Sequence, residues 1–196
     1  MEAWPDRRDA GTESTKLMAA EPDLAAVTVH VQPMRRRHVR SVMRIEQQVY
    51  PRPWSSSLFL SELALPASRV YVVARIDRVV VGYAGLMFAP DEAHVTTIAV
   101  DPEWQRRHVG TRLMAALTRE AVERNYTAMT LEVRVSARGA QALYRRFGFV
   151  PEGARKGYYV GPAEDAVVMW ARDIDTPDHA RLVEALDRQA GDGTHE

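Results

Sequence analysis

The chain has no cysteine among its 196 residues. That excludes disulfides, thiolate metal sites and a cysteine nucleophile, and it accords with a reducing compartment. No apolar run approaches the roughly 20 residues that span a bilayer, so no membrane partner is expected. Net charge is missing as well: 26 basic residues balance 26 acidic ones, and no global field draws the molecule toward nucleic acid or an anionic surface. Any anion site must be local. The opening stretch MEAWPDRRDAGTESTKL lacks the basic-then-apolar order of a secretory signal. A cytoplasmic protein is the expectation.

What is present is the composition of an ordinary globular unit, with 46% hydrophobic and 27% charged residues. The length suits one domain with its own core and is short for two. Residues 1–26 mix Pro, Gly, Asp, Glu, Ser and Thr without a sustained apolar period and read as a flexible N-terminal arm. VTVHV, Val27 to Val31, alternates as a strand does. Arg35 to Tyr50 places Val39, Val42, Met43 and Val49 at near-helical spacing until PRPW stops it. Ser55 or Ser56 caps a short second helix through Leu65.

Arg69 to Val100 reads as an antiparallel meander of three strands, the first two joined at Asp77-Arg78. From Arg107 to Arg124 the period becomes helical, with Val109, Leu113, Leu117 and Ala121 on one face. Thr127 to Arg134 returns to a strand. Ser136 is placed to cap a helix whose stripe is Ala140, Leu143, Tyr144 and Phe147, with Gly148 at its stop. EDAVVMWARDI forms a last strand, and residues 177–190 form an amphipathic helix with Leu182, Val183 and Leu186 on its apolar side. The order is β-α-α-β-β-β-α-β-α-β-β plus the terminal helix, an α/β fold with a central mixed β-sheet (α+β in its segregation) and helices on both faces. The strand-helix units around Val100 and Val133 should run parallel and diverge into a cleft.

The stretch VDPEWQRRHVGTRLMAAL begins a helix just after a strand. Its first amides have no intrahelical partner and lie at the positive end of the helix dipole, which makes an anion site. Arg106 and Arg107 add charge, Thr111 a hydroxyl, and Gly110 allows close approach. From this stretch alone, a solvated basic turn explains the residues equally well. The six histidines show no metal-ligand spacing, so no metal is expected. MRRRHVR, Met34 to Arg40, reads as a solvated helix face, and no direct nucleic-acid partner is expected.

IAVDPEWQRRHVGTRLMAAL, then LEVRVSARGAQALYRRFGFVPEG and YY…EDAVVMW, resemble the GCN5-related N-acetyltransferase (GNAT) family, and within it the bacterial ribosomal-protein-alanine N-acetyltransferases. PWS at Pro53 to Ser55 resembles the same subgroup. The likeness covers about Val27 to Ile174, leaving residues 175–196 as a C-terminal helix and tail. It implies a GNAT-type acyl-CoA N-acyltransferase fold over residues 27–174, acetyl-CoA as cosubstrate, and a protein N-terminus, that of a ribosomal protein, as acceptor. By position, Gln105, Arg106, Arg107, His108, Val109, Gly110 and Thr111 would hold the pyrophosphate. Ile98, Ala99 and Val100 would follow the pantetheine arm, one main-chain N–H polarising the thioester carbonyl.

Two residues depart from the family pattern. His108 stands where a glycine is usual, so its backbone must avoid positive φ or carry strain. Ala137 replaces an asparagine, and losing one neutral hydrogen bond to the cofactor arm would cost about 0.5–1.5 kcal/mol.

Acetyl transfer to an amine needs a neutral nitrogen, a stabilised oxyanion and a route for the proton. An α-amine with a reference pKa of about 7.8 is easier to deprotonate than a lysine at about 10.4, by about 3.5 kcal/mol. Spacing alone makes Glu132 a solvated strand acid; the resemblance implies a general base. Tyr144 reads as a core aromatic, and the resemblance implies the proton donor to the departing sulfur. Tyr158 and Tyr159 resemble the subgroup's acceptor loop, and Trp54 is expected to face them. Lysine or small-molecule acceptors, and a coenzyme A-binding module with little catalysis, are the alternatives.

Overall fold

The computed structural model describes residues 28–191. The arm expected over residues 1–26, Val27 of the first strand and the end of the tail, residues 192–196, lie outside the described residues. Twelve labelled elements follow in chain order: β1 (His30–Pro33), α1 (Val39–Val49), α2 (Ser56–Leu63), β2 (Arg69–Ile76), β3 (Val79–Phe88), β4 (Ala93–Val100), α3 (Val109–Glu123), β5 (Ala128–Arg134), α4 (Arg138–Arg146), β6 (Val150–Tyr159), β7 (Glu164–Arg172) and α5 (Pro177–Gly191). The expected element order is reproduced. No described helix is long and apolar enough to cross a membrane.

The strands form one sheet in the order β1-β2-β3-β4-β5-β7-β6. β2, β3 and β4 make the antiparallel meander, while β4 and β5 pair in parallel. Alternation along β2 and β3 sorts their side chains onto two faces. Tyr71, Val73, Val80 and Tyr83 join Val42, Ile45 and Phe59 beneath α1 and α2. Val72, Ala74, Ala84 and Leu86 join Val109, Leu113, Leu117 and Ala121 of α3 on the other face. With helices on both faces, the central strands lose nearly all contact with water.

Local chemistry explains most boundaries and corrects a few. Ser55 Oγ accepts from the Leu58 amide at 3.1 Å and caps α2. Gly148, at φ 82, ends α4: its N–H donates to Arg145 and the Phe149 N–H to Tyr144, a Schellman stop that favours glycine. Ser136 does not cap α4. The N-cap is Ala137 without a side-chain bond, and the Ser136 amide donates to Glu164 Oε1 at 2.6 Å instead. The first strand starts at His30, and α1 starts at Val39, because Arg36–His38 is a 3-10 turn in which buried His38 accepts from the Arg35 amide.

In α5, Val183 and Leu186 enter the main core, whereas Leu182 is exposed, contrary to its expected apolar side. Asp187 ties this helix to α3 through Arg112 at 3.2 Å and Arg119 at 2.6 Å.

The feature that positions the site is the parting of β4 from β5. Their ladder comprises only Ala93↔Met129 and His94↔Thr130. Just beyond, a register shift in the β3–β4 ladder leaves Thr96 as an extra residue in β4. Such a bulge bends and twists a strand away from its neighbour. The C-terminal halves of β4 and β5 then diverge, each toward its own helix, and an open edge of β4 faces the gap.

Candidate active site

The turn that leads into α3 is anchored before it begins. Asp101 is 1% exposed, pairs with Arg44 of α1 at 2.7 Å, and accepts from the Glu103 amide at 3.2 Å. A 3-10 turn, Pro102–Trp104, follows, and the Arg107 guanidinium lies 5.0 Å over the Trp104 ring. Arg106 (φ 62) and His108 (φ 55) are left-handed, with Arg107 between them outside that region. Alternation of this kind turns successive main-chain N–H groups toward a common concavity, a shape that receives anions. The first intrahelical bond runs from the Arg112 amide to His108 O at 3.0 Å. The Val109, Gly110 and Thr111 amides therefore have no partner within the helix.

The helix begins two residues later than its sequence period, because Arg106 to His108 are spent on this turn. Gly110 has a second reason to be small: a Cβ there would lie 3.1 Å from Leu143 of α4. Thr111 is buried, and the Gln105 amide nitrogen donates to Val100 O at 3.3 Å.

His108 thus bears the strain that its position implies. A left-handed residue other than glycine costs about 1–2 kcal/mol. His108→Gly should stabilise the fold by about 0.5–1 kcal/mol, net of the freedom gained by the unfolded chain, and raise the thermal midpoint by about 1–4 °C. A calorimetric scan showing a lower midpoint would mean that the imidazole makes contacts worth more than the strain.

Along the gap, Tyr50 Oη donates to Ile98 O at 2.8 Å, so this carbonyl leaves β4 on the side away from β3. Val100 O, reached by Gln105, does the same. A residue in an extended strand directs its N–H and C=O to one side, so the Ile98 and Val100 amides also face the gap. Ala99, two-way paired with Tyr83 in the ladder, faces β3.

Glu132 sits on β5 where the gap opens. Its side chain is only 6% exposed; Oε1 meets Arg155 Nη2 at 2.9 Å and Oε2 meets His94 Nε2 at 3.1 Å. Burial is the main cause that lowers the His94 pKa below its ordinary value, outweighing the attraction of Glu132 and Glu92. With its pKa lowered, the imidazole is predominantly neutral at pH 7, its Nε2 3.1 Å from the carboxylate. The hydroxyl of Tyr159 donates to the Glu132 main-chain carbonyl at 3.1 Å, and its ring lies 4.1 Å under the Arg134 guanidinium. Burial first, then neighbouring tyrosines, pushes the Tyr159 pKa up to about 12.

Tyr144, on α4, is 5% exposed. Burial, helped by Tyr50 and Tyr159, drives its pKa far above that of a free phenol, so the hydroxyl stays protonated. Ala137 caps the same helix and packs on the main core. The Trp54 ring turns inward, 5.3 Å from Phe59, and its amide donates to buried Glu46 at 2.8 Å. Tyr158 is exposed beside Tyr159, ring centroids 5.2 Å apart. The PRPW loop reaches the β6–β7 turn through Arg52, whose Nε lies 3.3 Å from a Cβ built on Gly161.

His94, Arg155 and Tyr50 carry no sequence signal that singles them out. Each is recognisable only by what faces it across the sheet.

The sequence profile described as "Acetyltransferase (GNAT) family" matches residues 39–149. The chain is 40% identical over 129 residues to the N-alpha-acetyltransferase RimI of Mycobacterium tuberculosis, covering 64% of this chain and 78% of that protein. It is 33% identical over 129 residues to the ribosomal protein bS18-alanine N-acetyltransferase of Escherichia coli K12, covering 64% of this chain and 84% of that one. The crystal structure of the ribosomal-protein-S18-alanine N-acetyltransferase from Escherichia coli is similar at a TM-score of 0.68 and 28% identity, covering 74% of this chain and 94% of that one.

Proposed function

Since the chain belongs to the acetyltransferase (GNAT) family, we propose that it transfers acetyl from acetyl-coenzyme A to the N-terminal α-amine of a protein, with the alanine terminus of a small-subunit ribosomal protein as acceptor. The observation that carries this reading is Glu132: a carboxylate 6% exposed, held ionically at the point where β4 and β5 part.

The donor suits the residues present. The Val109, Gly110 and Thr111 amides, with the Arg106–His108 turn behind them, would hold its pyrophosphate. Arg106 and Arg107 add positive charge there. The free Ile98 and Val100 edge of β4 would hydrogen-bond the amides of the pantetheine arm as an added strand does. One amide of that edge would also donate to the thioester oxygen as negative charge builds on it.

Glu132 would then accept a proton from the ammonium of the acceptor, leaving a neutral nitrogen to attack the thioester carbon. The C–N bond forms and the C–S bond breaks; the thiolate takes one proton as it leaves, and the attacking nitrogen sheds its second proton, which restores the one the donor gave. Tyr144, which remains protonated, is the donor for that step. Deprotonating an α-amine is about 3.5 kcal/mol less costly than deprotonating lysine at the same pH, so a single buried carboxylate suffices for a chain terminus. Tyr158, Tyr159 and the loop at Trp54 border the acceptor's approach.

The test is a peptide series assayed for free thiol release: an Ala-starting peptide, the same peptide with a blocked N-terminus and an internal lysine, and simple amines. Only the free Ala terminus should turn over well. Equal rates on the blocked peptide would transfer the activity to lysine side chains.

A further inference from the structure

Both oxygens of Glu132 are already engaged, Oε1 by Arg155 and Oε2 by His94. Each oxygen keeps a second lone pair, so an incoming ammonium competes with these partners for the carboxylate rather than finding it free. Resting on the proposed role of Glu132, we infer that Arg155 is a displaceable plug: its guanidinium occupies the position on Oε1 that the acceptor's ammonium takes, and the acceptor must push it aside.

The two partners differ in how firmly they are held. His94 is built into β4, its ladder pair Thr130 lies on β5, and its side chain is 20% exposed. Arg155 belongs to β6, an edge strand exposed from Val150 to Tyr158, and its side chain is 56% exposed. It is also the last residue before the β6–β7 ladder loses register, and its neighbour Gly157, at φ 60, has open space around it.

The sheet order explains how an edge residue reaches the base. β7 lies between β5 and β6, and Arg155 pairs with Ala166, which in turn pairs with Arg134. Cross-strand partners share a face, as do residues two apart on one strand. Arg155, Ala166, Arg134 and Glu132 therefore lie on the same face. Two strand spacings amount to about 10 Å, a distance that the arginine and the glutamate close by reaching toward each other, Nη2 to Oε1, at 2.9 Å. Small Ala166 leaves the path over β7 open.

The groups on the Glu132 carboxylate are His94 from β4 and Arg155 from β6, with the Tyr159 hydroxyl on its main-chain carbonyl; Arg134, two residues along the strand, is paired with Glu164 at 3.0 Å. Without Arg155 the free protein would keep a buried carboxylate paired only with a neutral imidazole, an unfavourable state. With it, the pocket is charge-balanced until an ammonium of like charge arrives. The guanidinium end is exposed to water and the ammonium replaces its charge on the carboxylate, so the exchange has a small cost. No proton or covalent bond changes hands in the exchange.

The experiment uses the full chain with saturating acetyl-coenzyme A and a varied Ala-starting peptide, comparing the parent with Arg155→Ala, Arg155→Gln and Arg155→Lys. Removing the plug should lower the acceptor KM by about 2–5-fold in the Ala and Gln variants, the factor expected of a weak ion pair. Arg155→Lys, which restores a cation, should return KM toward the parent value. Guanidinium chloride at low millimolar, non-denaturing levels should compete with the peptide in Arg155→Ala more strongly than in the parent. A KM that rises or stays constant in both neutral variants, or guanidinium inhibition equal in variant and parent, overturns the plug. If Glu132→Gln turns over at the parental rate, the underlying reading has failed. If Glu132→Gln is slow while the neutral variants raise KM, only the plug has failed.

Discussion

Glu132→Gln should slow acetyl transfer to an Ala-starting peptide by about 10²–10⁴-fold, the range expected when a positioned base is removed. The substitution keeps the shape of the side chain and loses the site that takes the ammonium proton. The fold should survive, because the partner it abandons on one side, Arg155, is 56% exposed and readily hydrated, while His94 on the other is neutral. The residual activity carries a signature of its own. With no base, only the fraction of acceptor already neutral reacts, so the variant's rate should climb about tenfold per pH unit until the reference pKa of an α-amine, about 7.8. Steady-state rates from pH 6 to 9 beside a thermal melt provide the check. A parental rate in a folded variant removes Glu132 from the chemistry.

Tyr144→Phe is expected to cost less, about 10–10²-fold, and the electrostatics of the site say why. A reference phenol lies about 1.5 pKa units above a thiol, so complete proton transfer to the departing sulfur is uphill by about 2 kcal/mol. Burial raises the tyrosine further. The hydroxyl is thus suited to donating a hydrogen bond that strengthens as charge gathers on sulfur, more than to surrendering its proton early. Because the group is raised, it stays protonated above its ordinary range, and it contributes no falling limb to the pH–rate profile between pH 7 and 10. The phenyl ring would retain the packing against Phe149, whose centroid is 6.0 Å away, so stability should change by under about 1 kcal/mol. An unaltered rate in this variant would leave Tyr144 a core residue and nothing more.

The contrast between the two residues illustrates what could be read in advance. Strand alternation puts Val72 and Val73 on opposite faces whatever covers them. The stripe Val109, Leu113, Leu117 and Ala121 fixed which side of α3 is buried. Gly148 marked a helix stop because one backbone geometry favours it. All are local rules, and they hold wherever the segment ends up. The same rules failed at Ser136, where Glu164 from a distant strand holds its amide and Ala137 takes the cap; no local rule placed Trp54, whose partly buried ring packs against Phe59. His108 was a marginal case. The missing glycine was visible, but whether the backbone would avoid or endure the left-handed conformation depended on the turn held by Asp101 and Arg44.

By itself, the order of residues determined the element sequence, the mixed sheet, the helix-start amides that suit a diphosphate, and the likeness to an acetyltransferase family. Periodicity and capping act over a few neighbours, so a linear text contains them. Only the tertiary structure decided the environment of Glu132, because His94, Arg155 and Tyr159 come to it from β4 and β6, and strand neighbours are chosen by packing and crossover geometry that no local pattern encodes.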